Sequence, residues 1–141
     1  MKLVDVGVWL AAVWGRHVHQ PIAADWFGRE ADDIVFCRVT QMGLLRLLSN
    51  PVIMGDDAMD RSQAWRIYDQ LWADERVLWA DEPAELDAVW RAISARDDKS
   101  HKLWTDDYLA AFAQASDVTL TTLDRKMAAR YPSVRIELLL S

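Results

Sequence analysis

Three aspartates stand where a predicted strand ends or a predicted helix begins. Asp5 follows the short predicted strand 2–4, Asp106 lies in the first turn of a predicted helix, and Asp124 follows a run rich in threonine and leucine that favours a strand. In an open α/β sheet, functional side chains gather beyond the carboxyl ends of the strands. The positions therefore predict that the three carboxylates meet at one edge of a sheet. The alternative, that each only caps a helix, stays open because aspartate is also a good N-cap.

The chemistry of such a cluster follows from its charge. Three carboxylates in a small space repel one another and raise one another's pKa. The cluster persists if a cation neutralises it, and ligation by a few oxygen atoms suits Mg²⁺, with Mn²⁺ as the alternative. A water molecule on such a metal can attack a phosphodiester. The residue types thus favour metal-dependent hydrolysis of a phosphate ester.

The helix that contains Asp106 opens on polar residues. Thr105 is predicted to be its N-cap, because the hydroxyl can accept a hydrogen bond from a free backbone N–H of the first turn. Asp106 and Asp107 then lie where the helix dipole favours negative charge. Since successive helical residues point about 100° apart, Asp107 is interpreted as a capping or solvated neighbour rather than a ligand.

A second strand and its following helix add further candidates. Residues 34–37 form an apolar run, as expected of a strand buried on both faces. Thr40 is predicted to cap the next helix, with Gln41 in its first turn at the same edge of the sheet. Arg46, one turn further, either extends to solvent or is held by acids near the site. We favour the second interpretation.

Composition limits the class of protein. A chain of 141 residues with 52% hydrophobic residues is expected to be one domain, residues 1–141, with a buried core. The net charge of −6 argues against a general nucleic-acid binder, but not against an enzyme whose acids hold a metal. There is no apolar run of the ~20 residues that a membrane helix needs, and Asp5 makes the start too polar for a secretory signal. With Cys37 as the single cysteine, a cytoplasmic protein is expected.

The order of predicted elements indicates the fold class. Strands alternate with helices, and no pair of strands shows a two-residue hairpin signal, which predicts a three-layer α/β/α sandwich around a central parallel sheet. The segment 52–60 is predicted to be a solvent loop. The predicted strands are residues 2–4, 34–37, 76–79, the run that ends before Asp124, and an edge strand at 134–136.

Four segments are more specific together than any one of them alone. They are L-V-D-V-G-V-W-L-A at 3–11, C-R-V-T-Q-M-G-L-L-R-L-L-S-N-P at 37–51, W-T-D-D-Y-L-A-A-F-A at 104–113 and L-T-T-L-D-R at 120–125. With them the chain resembles a PIN domain, and more narrowly the VapC ribonuclease toxins of bacterial toxin–antitoxin pairs. The resemblance implies an Mg²⁺-dependent endoribonuclease that cuts RNA such as tRNA or rRNA. It also implies a homodimer that a cognate VapB-type antitoxin holds inactive.

Carried over by position, the resemblance assigns metal binding to Asp5 and Asp106 and a further catalytic role to Asp124. Many PIN domains have a glutamate near the start of the helix after the second strand, where this chain has the neutral Gln41. That difference favours one metal over two. Gln41 then binds through its carbonyl oxygen or orients a water, and Thr40 and Thr122 are candidates for positioning the acids.

Two other interpretations remain. Gln41 allows a catalytically weak PIN domain that acts as a binding module for RNA or for the antitoxin. A receiver-like phospho-acceptor domain also gathers aspartates over a parallel sheet. That fold requires a paired acid near the first strand and a lysine after the last, and the sequence has neither.

Overall fold

One parallel sheet of five strands forms the centre of the molecule. The computed structural model describes residues 1–140. The strands are Lys2–Val4 (β1), Ile34–Phe36 (β2), Val77–Trp79 (β3), Thr119–Thr122 (β4) and Ile136–Leu138 (β5). Their order in the sheet is β3-β2-β1-β4-β5, and all four neighbouring pairs are parallel. The chain runs outward from β1 to β3 and then returns to the other side of β1, so the strand order reverses between β1 and β4. Side chains that follow these two strands are therefore placed at the switch point, where α/β proteins bind ligands.

Eight α-helices connect the strands. They are Val6–Val13 (α1), Gln20–Arg29 (α2), Arg38–Leu48 (α3), Pro51–Met54 (α4), Arg61–Leu71 (α5), Leu86–Ser94 (α6), Trp104–Ser116 (α7) and Arg125–Arg130 (α8). Within residues 1–140, every helix is too short or too polar to cross a membrane.

Alternate side chains of the central strands enter two separate cores, because successive residues of a strand point to opposite faces. Leu3 and Leu120 belong to the core that α7 covers, and both are fully buried. Val4 and Phe36 belong to the core beneath α1, α3 and α5. On that second face the ring of Trp9 stacks on Phe36 with 4.1 Å between centroids. The predicted three-layer α/β/α sandwich with a parallel central sheet is confirmed.

Two predicted helix starts are wrong by a few residues. Helix α7 begins at Trp104 with Leu103 as its N-cap, because the N–H of Asp107 already donates to the oxygen of Leu103 at 2.8 Å. Thr105 is therefore inside the first turn and is not the cap. Helix α3 begins at Arg38, with Thr40 as the third helical residue instead of the cap.

The predicted solvent loop at 52–60 and the predicted edge strand at 134–136 also differ from the structure. Residues 51–57 form α4 and a short 3₁₀ turn, in which the side chain of Asn50 caps α4 and Met54 is buried. Pro51 in the first turn suits this helix, since its missing N–H would have no partner there. Strand β5 lies two residues later than predicted, because the chain first turns at Tyr131 to Val134.

Candidate active site

The carboxylate of Asp5 is held by two hydrogen bonds at the end of β1. Its Oδ1 accepts from the backbone N–H of Val6 at 2.8 Å, which caps α1. Its Oδ2 accepts from the hydroxyl of Thr122, the last residue of β4, at 2.9 Å. Asp5 is thus both a helix cap and a member of the cluster at the switch point, so the two interpretations of the sequence are compatible.

Asp124 shares the same hydroxyl. Its backbone N–H donates to Oγ1 of Thr122 at 3.0 Å, and its carboxylate accepts from the N–H of Lys126 at 2.9 Å, which caps α8. The Asp124 side chain is exposed, whereas Thr122 is fully buried. Thr122 therefore connects Asp5 and Asp124 by hydrogen bonds, and its role in positioning the acids for catalysis stays a prediction.

Asp106 projects from the first turn of α7 and is partly buried, with 31% of its side chain exposed. Burial, and next the negative charge of Asp5, raise the pKa of Asp106 to about 6, while the guanidinium of Arg130 lowers it. Nη1 of Arg130 lies 3.4 Å from Oδ2 of Asp106. Asp5 therefore lies within electrostatic range of Asp106, although 101 positions separate them in the sequence (106 − 5).

The pKa of Asp5 depends on its burial and on a neighbouring acid. Burial is the main cause that raises the pKa of Asp5, and the charge of Asp124 adds to it. The hydrogen bonds from Thr122 and Val6 oppose this rise because they stabilise the ionised form. The three aspartates thus lie within electrostatic range of one another, and their shared role in catalysis stays a prediction.

Asp107 differs from its prediction as a capping or solvated residue. Only 7% of it is exposed, and its carboxyl group accepts a short hydrogen bond from the hydroxyl of Tyr131. Burial raises the pKa of Tyr131, so the phenol stays protonated and can donate. The 100° turn away from Asp106 directs Asp107 into the protein because α7 is buried on most sides. Tyr131 had no signal in the sequence beyond its place after a basic helix.

The remaining supporting candidates lie on α3. Thr40 is fully buried, and its hydroxyl accepts from the N–H of Cys37 and donates to the oxygen of Cys37, both at 3.0 Å. Gln41 is 8% exposed, and its Oε1 accepts from Nη1 of Arg38 at 2.6 Å. The guanidinium of Arg38 also lies 4.7 Å from the centre of the Trp79 ring. Thr40 thus stabilises the start of α3. The side-chain oxygen of Gln41 is already in contact with the guanidinium of Arg38.

Arg46 is not held by acids, and that interpretation is wrong. It is exposed and borders a shallow cleft beside Arg61 and Trp65, and it makes no ion pair with any residue from 1 to 140. The reason is that Arg46 lies in the last turn of α3, far along the helix from the strand ends at which α3 begins.

The donor set fits a hard divalent cation with few protein ligands. Among residues 1–140, no three histidine, cysteine, aspartate or glutamate side chains are arranged to hold a metal as they stand. The negative charge of Asp5 disfavours the ionised form of Asp106, a penalty that a bound cation removes. Mg²⁺ is commonly bound by one or two carboxylates together with water and substrate phosphate. The two residues are therefore compatible with Mg²⁺ or Mn²⁺, and their role as ligands stays a prediction.

The parallel sheet between two layers of helices defines an α/β/α sandwich with acids at its switch point, and comparison with known proteins gives the family. A family model described as "PIN domain" matches residues 2–132. Because the match spans nearly the whole chain, the protein belongs to the PIN domain family.

Individual relatives extend this result. The chain is 36% identical over 145 aligned positions to "Ribonuclease VapC41" of Mycobacterium tuberculosis, covering 99% of each protein. It is 28% identical to "Ribonuclease VapC29" of the same species, covering 95% of the chain and 93% of the relative.

Among solved structures, a chain of VapBC2 from Rickettsia felis bound to a DNA fragment from its promoter matches with a TM-score of 0.66 and 13% identity, over 97% of each chain. A chain of VapBC-1 from nontypeable Haemophilus influenzae matches with the same TM-score of 0.66 and 15% identity, over 98% of this chain and 97% of that one. At these identities the similarity shows the fold.

Proposed function

We propose that the protein is a metal-dependent endoribonuclease and the toxin of a VapBC-type toxin–antitoxin pair. The observation that carries the proposal is the placement of Asp5 at the end of β1, bonded to Thr122 of β4, with Asp106 in the first turn of α7 within its electrostatic range. The 36% identity to Ribonuclease VapC41 over the full length supports RNA as the substrate. We further propose that it acts in the cytoplasm on structured RNA such as tRNA or rRNA.

Each residue of the site has a defined part in this proposal. Asp5 and Asp106 would hold Mg²⁺ or Mn²⁺, which supplies an activated water and positive charge beside the scissile phosphate. Thr122 orients Asp5 by its 2.9 Å hydrogen bond. Asp124, which is exposed, would accept a proton or orient the attacking water. Arg130, which contacts Asp106, would pair with a phosphate oxygen once substrate enters.

A cleavage assay tests the proposal. The purified protein should cut a labelled RNA in Mg²⁺, and both EDTA and the Asp5→Asn or Asp106→Asn substitution should abolish cleavage. Asp87→Asn is the matched control, because Asp87 is 80% exposed on α6 and lies outside the cluster. Cleavage that proceeds equally in EDTA, or equally in Asp106→Asn, contradicts the proposal.

The proposed partners are a VapB-type antitoxin and a second copy of the chain. The structural relatives from Rickettsia felis and Haemophilus influenzae are VapBC complexes, which supports an antitoxin for this chain as well. Co-expression with the product of a small neighbouring reading frame should yield a stable complex without ribonuclease activity. Size-exclusion chromatography with light scattering would give the number of copies, and a lone monomer would contradict the dimer.

One observation favours a second function, a PIN domain that binds RNA without cutting it. The oxygen of Gln41 is occupied by the guanidinium of Arg38, so a cation lies where many PIN domains place an acid. Induction of the protein without its antitoxin separates the two functions. Growth arrest that Asp106→Asn abolishes indicates the enzyme, whereas arrest that persists in this variant indicates the binding module.

A further inference from the structure

A cleft of about 480 Å³ opens at the start of α7. Its lining includes the buried Asp107 and also Arg130, which contacts Asp106. The loop between α6 and α7 also lines the cleft and contributes Arg96 and Lys99. The volume is within the range of about 300–1,000 Å³ that ligand sites occupy. The cleft thus continues the proposed active site in one direction.

An exposed tryptophan stands at the rim of this cleft. Trp104 is the first residue of α7, two positions before Asp106, and 55% of it is exposed. It also borders a second, smaller cleft of about 280 Å³. Trp90 supports it from one side, since the two rings lie nearly perpendicular and Nε1 of Trp90 donates to the backbone oxygen of Trp104 at 3.2 Å. A large, positioned aromatic ring is therefore open to a ligand at the start of α7.

The charge of the cleft differs from that of the whole protein. The chain carries a net charge of −6, which repels nucleic acid in general. The side chains that line the cleft include three cations, Arg96, Lys99 and Arg130, against the two acids Asp98 and Asp107. Since Arg130 pairs with Asp106 and Asp107 accepts from Tyr131, the excess of positive charge in the cleft comes from Arg96 and Lys99 against Asp98. This local charge favours a polyanion in the cleft.

We propose that this cleft binds the single-stranded segment of RNA next to the cleaved phosphate. Trp104 stacks on one unpaired base, and Arg96 and Lys99 contact backbone phosphates. Unpaired bases that stack on aromatic rings, combined with a cationic groove along the backbone, are the usual means of holding single-stranded RNA. This inference rests on the proposed function, because it concerns the substrate of the same site.

A binding assay tests the inference separately from catalysis. The full chain carrying Asp5→Asn, which prevents cleavage, is titrated against a fluorescein-labelled single-stranded RNA of about 12 nucleotides and mixed sequence, with anisotropy as the signal. Adding Trp104→Ala should weaken binding by about 5- to 100-fold, the loss expected for one stacked base. Trp104→Tyr should retain binding within about threefold, because the aromatic ring remains. Trp65→Ala, which removes another half-exposed tryptophan on α5, is the control and should have no effect.

Salt dependence tests the phosphate contacts. Lys99→Ala and Arg96→Ala should each reduce the slope of log Kd against log salt by about 0.7, whereas Trp104→Ala should weaken binding without changing the slope. Arg29→Ala is the control for charge, since Arg29 is 71% exposed on α2 and distant from the cleft. Circular dichroism of each variant establishes that it is folded.

The outcomes distinguish this inference from the proposed function. If the wild-type protein cleaves RNA but Trp104→Ala binds and cleaves it equally well, the inference is overturned and the nuclease stands. If binding depends on Trp104 but the wild-type protein does not cleave, the cleft stands and the nuclease is overturned. Failure of the Asp5→Asn protein to bind the RNA overturns the inference. The inference is also overturned if Trp104→Ala retains RNA binding and loses only dimerisation or antitoxin binding.

Discussion

The hydroxyl of Thr122 donates to Oδ2 of Asp5 across 117 residues of sequence. Asp5 follows strand β1, and Thr122 is the last residue of the neighbouring strand β4. The register of the two strands places Val4 opposite Thr121. The same hydroxyl oxygen accepts from the N–H of Asp124. One buried threonine therefore orients the carboxylate of Asp5 and holds the backbone of Asp124, and the geometry of the cluster depends on the β1–β4 pairing.

Replacing Thr122 by valine keeps the shape of this side chain and removes both hydrogen bonds. A hydrogen bond to an ionised group contributes about 1.5–3 kcal/mol, so the freed Asp5 should reorient and RNA cleavage should fall by about 10- to 100-fold. Thr122→Ser, which retains the hydroxyl, should keep most of the rate. Single-turnover cleavage measures the chemical step, and an unchanged rate in Thr122→Val would show that Asp5 needs no positioning.

Much of this arrangement could be predicted from local sequence. Apolar runs such as residues 34–36 identify buried strands, and in a parallel sheet the strand ends lie at one edge. An aspartate just after a strand is then placed at that edge by the fold alone. The sequence therefore suffices to place Asp5 and Asp124 at this edge of the sheet.

The parts that could not be predicted depend on distant contacts. The burial of Asp107 depends on Tyr131, which lies 24 residues away and faces it only after α7 and α8 have packed. The position of Arg46 depends on the direction in which α3 leaves the sheet. Local patterns give the spacing along one helix, but not which neighbouring element a side chain meets.

Divalent metal should stabilise the folded protein through Asp5 and Asp106. At a metal concentration ten times Kd, binding adds about 1.4 kcal/mol to the free energy of unfolding, which corresponds to a rise in Tm of about 3–6 °C. Asp5→Asn and Asp106→Asn should abolish this rise, while Asp87→Asn, with its 80% exposed side chain, should retain it. Thermal unfolding in Mg²⁺, Mn²⁺ and EDTA provides the measurement. An equal rise in all four proteins would place the metal elsewhere.

Removing the hydroxyl of Tyr131 should destabilise the protein because the buried carboxyl group of Asp107 loses its donor. The cost of leaving such a group without a partner is about 2–3 kcal/mol in the free energy of unfolding. Tyr108→Phe is a matched control, since that hydroxyl donates at 2.5 Å to Glu82, which is exposed and can turn to water. Urea unfolding compares the two variants. Equal stability of Tyr131→Phe and the wild type would show that Asp107 does not need this bond.

Hydrogen bonds from Arg76 connect the end of α2 to the start of β3. Its Nη1 donates to the backbone oxygens of Phe27 at 2.7 Å and Glu30 at 2.6 Å, groups that the end of a helix leaves without partners. Its Nη2 also donates to Oδ2 of Asp74 at 2.6 Å. Arg76→Met should therefore lower the free energy of unfolding by about 2–4 kcal/mol at neutral pH. Arg29→Met, which breaks only the exposed pair with Asp25, should change it by less than about 0.5 kcal/mol.

The same contact predicts how stability depends on pH. Hydrogen bonds from Arg76 lower the pKa of Asp74 to about 2 in the folded protein, against about 3.9 in an unfolded chain. The folded state therefore binds the proton less readily, so this stabilisation is complete above about pH 4 and is lost as the pH falls towards 2. The difference in unfolding free energy between wild type and Asp74→Asn should be constant near neutral pH and narrow below about pH 4. Urea unfolding at steps of pH measures it, and a difference that stays constant down to about pH 2.5 would show that the Asp74–Arg76 pair contributes no charge-dependent stability.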